Sequence, residues 1–106
     1  MLHTIENDFL RMTIDDTGAQ MMSITAADGT EYLWNGDSAY WGGRAPNLFP
    51  YVGRLTDDIY TVDGRSYGMK RHGFSRHMTF ETQKQAPDKV AFRLTATEET
   101  KAVYPW

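Results

Sequence analysis

Strict alternation of apolar and polar residues is the feature that most limits what this chain can fold into. Leu10, Met12 and Ile14 alternate with Arg11, Thr13 and Asp15, and Val90, Phe92 and Leu94 alternate with Ala91, Arg93 and Thr95. A period of two sends successive side chains to opposite faces, which suits a strand with one buried face. Turn residues fall between such runs. Asp28-Gly29 separates MMSITAA from TEYLW, and Asp63-Gly64 separates DIYTV from RSYGM. An Asp-Gly pair supplies the positive φ angles of a two-residue hairpin turn. Pairing about these turns sets Ile24 opposite Leu33 and Tyr60 opposite Tyr67. Ala86-Pro87-Asp88 is expected to turn the chain between MTFETQ and KVAFRLTAT.

No segment predicts a helix. Asp37 to Tyr40 can start a short turn, but Gly42, Gly43 and Pro46 break it. The expected fold class is all-β, with roughly seven short strands compatible with antiparallel pairing. One long irregular stretch runs from Asn35 to Pro50. With Trp34 just before it, it carries Tyr40, Trp41 and Arg44, which is too aromatic for plain disorder. The apolar end, EETKAVYPW, opens a new segment and stops at Trp106. It predicts a sheet with an open edge, and open edges invite pairing. Residues 1–106 are therefore expected to form one β-domain that is the front part of a larger β-protein, with self-association through its open sheet edges as a further expectation.

A chain of 106 residues is the size of one domain and allows a modest core. A net charge of -3 gives no general attraction to nucleic acid or to an anionic membrane. The absence of cysteine rules out disulfides and thiolate metal sites and suits a reducing cytoplasm, where this reading places the protein. The N-terminus, MLHTIENDFL, has neither the basic start nor the apolar run of a signal peptide. No window approaches the roughly eighteen apolar residues of a membrane span.

Two stretches could carry chemistry. NLFPYVGRL, residues 47–55, leads an apolar run into Gly53 and Arg54, with Asp57 and Asp58 following. Arg54 is either a surface cation paired with one of those aspartates or a planar fork of donors for carboxylate, phosphate or hydroxyl oxygens. KRHGFSRHM, residues 70–78, gathers Lys70, Arg71, His72, Arg76 and His77 around Gly73 and Phe74. If extended, it sets His72, Phe74 and Arg76 on one face and His77 on the other. Gly73 leaves room for a ligand or for backbone beside His72. His72 is either a satisfied strand histidine or a donor to a ligand oxygen. His3 lies at what reads as a frayed N-terminus and is taken to carry no chemistry. Three histidines without cysteine make no recognisable metal-ligand spacing. Metal binding is therefore not expected, and no nucleophile elbow, phosphate loop or dinucleotide fingerprint is present.

In order and spacing, APNLFPYVGRL, YTVDGRSYGM and HGFSR resemble the aldose 1-epimerase (galactose mutarotase-like) family, in particular its bacterial subgroup with an LFPxxGRL…HGFAR signature. The opening hairpins resemble it too. The resemblance implies the N-terminal part of a large antiparallel β-supersandwich. It implies interconversion of the α and β anomers of hexoses without a cofactor. A carboxylate base takes the anomeric hydroxyl proton, a histidine acid protonates the ring oxygen, and the ring opens, rotates its carbonyl and recloses. On this resemblance Arg54 hydrogen-bonds sugar hydroxyls and His72 is a catalytic residue near the ring oxygen. Arg76 also binds substrate, and in relatives acting on phosphosugars its counterpart helps hold phosphate. The family's second histidine and its glutamate base lie later in longer chains, and neither His77 nor Glu81, Glu98 or Glu99 matches their contexts. The implied partner is a hexose or hexose phosphate. The implied function is that of an epimerase carrying part of its site, with a non-catalytic carbohydrate-binding domain or inactive fragment as the alternative.

Overall fold

The computed structural model describes residues 1–106 in full. Seven strands form three antiparallel sheets. The first sheet joins β1 (Leu2–Glu6), β2 (Leu10–Asp15) and β3 (Gln20–Ala26) in chain order. The second is the hairpin of β4 (Ile59–Val62) and β5 (Arg65–Gly68), and the third the hairpin of β6 (Glu81–Ala86) and β7 (Lys89–Arg93). The alternation in β2 holds at Ile14, buried at 5% exposure, and at Arg11, which points outward, but not at Leu10, which is 43% exposed.

The β4–β5 hairpin follows the sequence closely. Asp63 and Gly64 both take positive φ, 49° and 74°, and Tyr60 pairs with Tyr67. Their rings stack with centroids 5.4 Å apart. Pro87-Asp88 likewise makes a two-residue turn, with Ala86 opposite Lys89. The turn at Asp28-Gly29 departs from expectation. Thr25 bridges Glu31, and Ile24 accepts the Tyr32 N–H, so Ile24 does not face Leu33. Gly29 alone takes positive φ, as in a three-residue loop that shifts the register by one. TEYLW forms no strand, because the Glu31 carboxylate itself takes the N–H groups of Ile24 at 2.8 Å and Leu33 at 3.0 Å and the Ser23 hydroxyl. A side chain occupies the place a ladder partner would hold.

Three other expectations are corrected. A helix exists: α1 (Glu98–Val103) begins at a reciprocal cap in which the Thr97 hydroxyl takes the Thr100 N–H and the Thr100 hydroxyl takes the Thr97 N–H. Such boxes satisfy two orphan donors at once. With six residues it is too short to leave a periodic signal. The apolar end is accordingly no unpaired strand; Tyr104 sits against Phe49 and Trp106 at centroid distances of 5.8 and 5.0 Å. The N-terminus is not frayed either. The Met1 ammonium reaches Asp16 at 2.7 Å, and His3 meets the Phe92 ring edge-on at 5.1 Å.

The molecule is a thin slab, 55 × 34 × 17 Å, with a radius of gyration of 16.6 Å. A compact domain of this length would have about 13 Å. Only Ile14 and Met69 are buried large apolar residues, so the expected core is barely present. No helix is long and apolar enough to cross a membrane.

Candidate functional site

The stretches 47–55 and 70–78 lie side by side, joined by hydrogen bonds from end to end. The Ser75 hydroxyl donates to the Asn47 carbonyl at 2.7 Å. The Phe74 and Ser75 N–H groups both donate to the Phe49 carbonyl, at 3.0 and 3.2 Å. The His72 N–H donates to the Gly53 carbonyl at 2.9 Å, and the Gly53 N–H donates to His72 Nδ1 at 3.0 Å. Phe49 and Gly73 make a parallel bridge. The room left by Gly73 is thus taken by backbone, since a Cβ there would collide with the Phe49 carbonyl and lie 2.8 Å from Pro50 Cδ.

This packing requires a backbone that is not extended. His72 and Gly73 both adopt left-handed φ, 68° and 72°, and Ser75–His77 form one turn of 3-10 helix. The expectation that His72, Phe74 and Arg76 share one face of a strand is therefore corrected. Left-handed conformation is uncommon outside glycine, although histidine is among the residues enriched there. Two neighbouring residues in that region reverse the chain sharply, which lets the His72 ring fold back onto Gly53.

His72 is half-buried and tied directly to the residue before Arg54. Arg54 itself is exposed, and its Nε donates to Asp58 at 3.1 Å, so it makes the aspartate pairing foreseen from composition. A pair this open contributes about 0–1 kcal/mol and leaves the guanidinium free to exchange partners. Arg76 lies within the 3-10 turn and lines an open groove of about 670 Å³ with Lys70, Arg71 and His77, and with the carboxylates of Asp58 and Glu99. Its terminal nitrogen donates to the Arg71 carbonyl at 3.3 Å, while its Nε is buried without an acceptor. Neither His72 nor Arg54 lines that groove or the apolar one of about 420 Å³ beneath Phe49, Phe74 and Tyr104. The structure therefore joins His72 to the Gly53-Arg54 dipeptide and sets Arg76 in a groove of mixed charge, which Arg54 meets through its partner Asp58.

Residues that reading by type passes over hold this arrangement. Ser75 is the most buried side chain, at 1% exposure. The Asn47 amide donates to the carbonyls of Gly18 and Ala19, at 2.9 and 2.7 Å, and anchors the site to the turn between β2 and β3. Arg44 donates to the Met22 carbonyl at 2.6 Å, at the bulge where β3 carries one residue more than β2. The glycines and serine around His72 were the available signal, because small residues mark close backbone approach. No group of three or more His, Cys, Asp or Glu side chains is placed to hold a metal ion.

Comparison with known proteins agrees over the whole chain. The family model described as aldose 1-epimerase matches residues 1–106. The chromosomal protein LacX of Lactococcus lactis subsp. lactis is 36% identical over 100 residues, covering 90% of this chain and 33% of LacX. A galactose mutarotase related enzyme from Lactobacillus acidophilus superposes with a TM-score of 0.97 at 40% identity, over 99% of this chain and 35% of that one. A galactose mutarotase-like protein from Lactobacillus casei superposes with a TM-score of 0.96 at 34% identity, over 99% of this chain and 36% of that one. The chain thus spans about a third of the length of the relatives it matches.

Proposed function

The chain belongs to the aldose 1-epimerase family, and from that premise we propose that it forms the part of a hexose 1-epimerase site that carries His72, Arg54 and Arg76. In this role His72 donates a hydrogen bond to the sugar near its ring oxygen, and Arg54 swings from Asp58 to the sugar hydroxyls. Arg76, with Lys70 and Arg71 beside it, suits a phosphate on a phosphorylated hexose. The observation that carries the reading is the pair of hydrogen bonds between Gly53 and His72, which brings the family's Gly-Arg and His-Gly motifs into one place.

Anomer exchange needs a base for the anomeric hydroxyl and an acid for the ring oxygen, each worth about a hundredfold to ten-thousandfold. Residues 1–106 offer His72 as a donor but no carboxylate in the family's base context. This chain is accordingly a binding and positioning part of the site, and the thin slab with its exposed aromatics is read as one piece of a larger supersandwich. Exposed Tyr40, Trp41 and Trp34 supply faces for sugar rings or for further protein, including a second copy pairing at an open sheet edge. The absence of cysteine fits work in the reducing cytoplasm.

Polarimetry on fresh α-D-galactose and α-D-glucose tests the proposal, with the chain and its His72→Ala variant compared. Titration calorimetry with galactose, glucose and glucose 6-phosphate runs beside it. Weak binding that His72→Ala abolishes is the expected result. Acceleration lost in the variant would show that the chain holds its own acid and base. Equal sugar binding by both proteins would overturn the role of His72.

A further inference from the structure

Imidazole has two ring nitrogens, and in the neutral ring one donates while the other accepts. A backbone N–H can only donate. The Gly53 N–H points at His72 Nδ1 from 3.0 Å, so that nitrogen offers its lone pair and the ring proton sits on Nε2. The reverse bond, from the His72 N–H to the Gly53 carbonyl at 2.9 Å, fixes the two backbones to each other. Left-handed φ at both residues, 92° at Gly53 and 68° at His72, lets one residue serve the ring with its N–H and the main chain with its carbonyl.

We propose that the Gly53 peptide is the positioning group for His72, locking the neutral ring in the Nε2–H tautomer. His72 then meets its ligand as a hydrogen-bond donor only. The ligand atom opposite Nε2 must be an acceptor, such as a ring, hydroxyl or carbonyl oxygen, and a ligand donor placed there would face another donor. The assignment of that acceptor to a sugar rests on the function proposed above; the tautomer does not. The Gly-Arg motif thereby has two jobs on adjacent residues. Arg54 supplies a mobile cation, and Gly53 sets which nitrogen of His72 carries the proton. Glycine suits position 53 because its φ of 92° strains any residue with a Cβ.

Long-range proton–nitrogen correlation spectra of the ¹⁵N-labelled 106-residue chain test this directly. They are recorded at a pH about two units above the ordinary imidazole value, where the neutral ring dominates. The His72 signals are identified by their loss in His72→Gln. The expected spectrum has an unprotonated, pyridine-type Nδ1 and a protonated, pyrrole-type Nε2. A proton on Nδ1, or two nitrogens averaged by tautomer exchange, overturns the proposal. Replacing the residue-53 amide by an ester removes the N–H and sets an ester oxygen in its place. The expected result is a shift of both nitrogens toward averaged positions, and unchanged nitrogens overturn the role of Gly53. A purely structural role for Gly53 would alter stability without moving these signals. Galactose and glucose are then added to the same sample. A shift at Nε2 with Nδ1 steady is expected, while no shift with the tautomer as stated overturns the sugar assignment and leaves the lock standing.

Discussion

His72 and Gly53 hold each other through two hydrogen bonds, one from each backbone N–H, although nineteen positions separate them. The contact depends on φ of 92° at Gly53, where a Cβ would meet no atom within 4 Å. Gly53→Ala therefore tests conformation without a steric clash. It is expected to cost about 1–2 kcal/mol, read as a lower urea midpoint with an unchanged slope.

Gly73 and Gly29 form a contrasting pair. Both have positive φ, 72° and 86°, but a Cβ on Gly73 runs into the Phe49 carbonyl while one on Gly29 meets open space. Gly29→Ala is expected to lose about 1 kcal/mol from strain alone. Gly73→Ala adds overpacking of backbone on backbone and is expected to lose about 3 kcal/mol or more. Equal losses in chemical denaturation would show that strain, not packing, governs both positions.

Ser75 buries its hydroxyl against the Asn47 carbonyl. Ser75→Ala leaves that carbonyl without this donor, and a stability loss of about 1 kcal/mol is expected. The same variant should leave the His72 ring signals in place, because the Gly53 bonds do not pass through the serine.

Arg54 separates function from stability. Its only ion pair, with Asp58, is exposed, so Arg54→Ala should change stability by less than about 1 kcal/mol. Losing a charged donor to sugar hydroxyls should weaken hexose binding by about tenfold or more. Unchanged affinity in calorimetry would place Arg54 outside the site.

The tie between Met1 and Asp16 predicts a pH window. A hydrogen bond from the N-terminal ammonium holds the Asp16 carboxyl below its ordinary value, with His3 adding to the effect, and the same bond raises the ammonium above its own. A lowered acid stabilises the fold above its unfolded value and stops doing so as pH falls through the folded one. A raised base stabilises below its unfolded value and stops doing so as pH rises through the folded one. Asp16→Asn should therefore lower Tm across neutral pH, and the two melting curves should converge at both the acidic and alkaline ends. A constant difference over the whole range would mean that the charge pair is not its source.

What sequence could disclose tracks distance along the chain. The Tyr60–Tyr67 pairing follows from Asp63 and Gly64, two residues whose own φ preferences close the hairpin and set its register. The strand faces of β2 follow from alternation for the same local reason. Where a distant or unforeseen side chain intervenes, local rules fail. Glu31 takes the Ile24 and Leu33 amides, which keeps residues 30–34 from forming a strand, and the three-residue loop at Gly29 moves the register by one. The six residues of α1 depend on the reciprocal Thr97–Thr100 cap and on the Tyr60 hydroxyl reaching the Val103 carbonyl at 2.5 Å.

The candidate site divides in the same way. The ordered set APNLFPYVGRL, YTVDGRSYGM and HGFSR, with the opening hairpins, carries the resemblance to the family and singles out Arg54, His72 and Arg76 as candidates. Tertiary structure alone decided that His72 turns left-handed, that its Nδ1 is taken by the Gly53 N–H, and that Arg76 lines a groove His72 does not. The reason is physical. Strand and hairpin geometry are set by the dihedral preferences of neighbouring residues. The direction in which a ring nitrogen points is set by which backbone packs against it, and that backbone comes from another part of the chain.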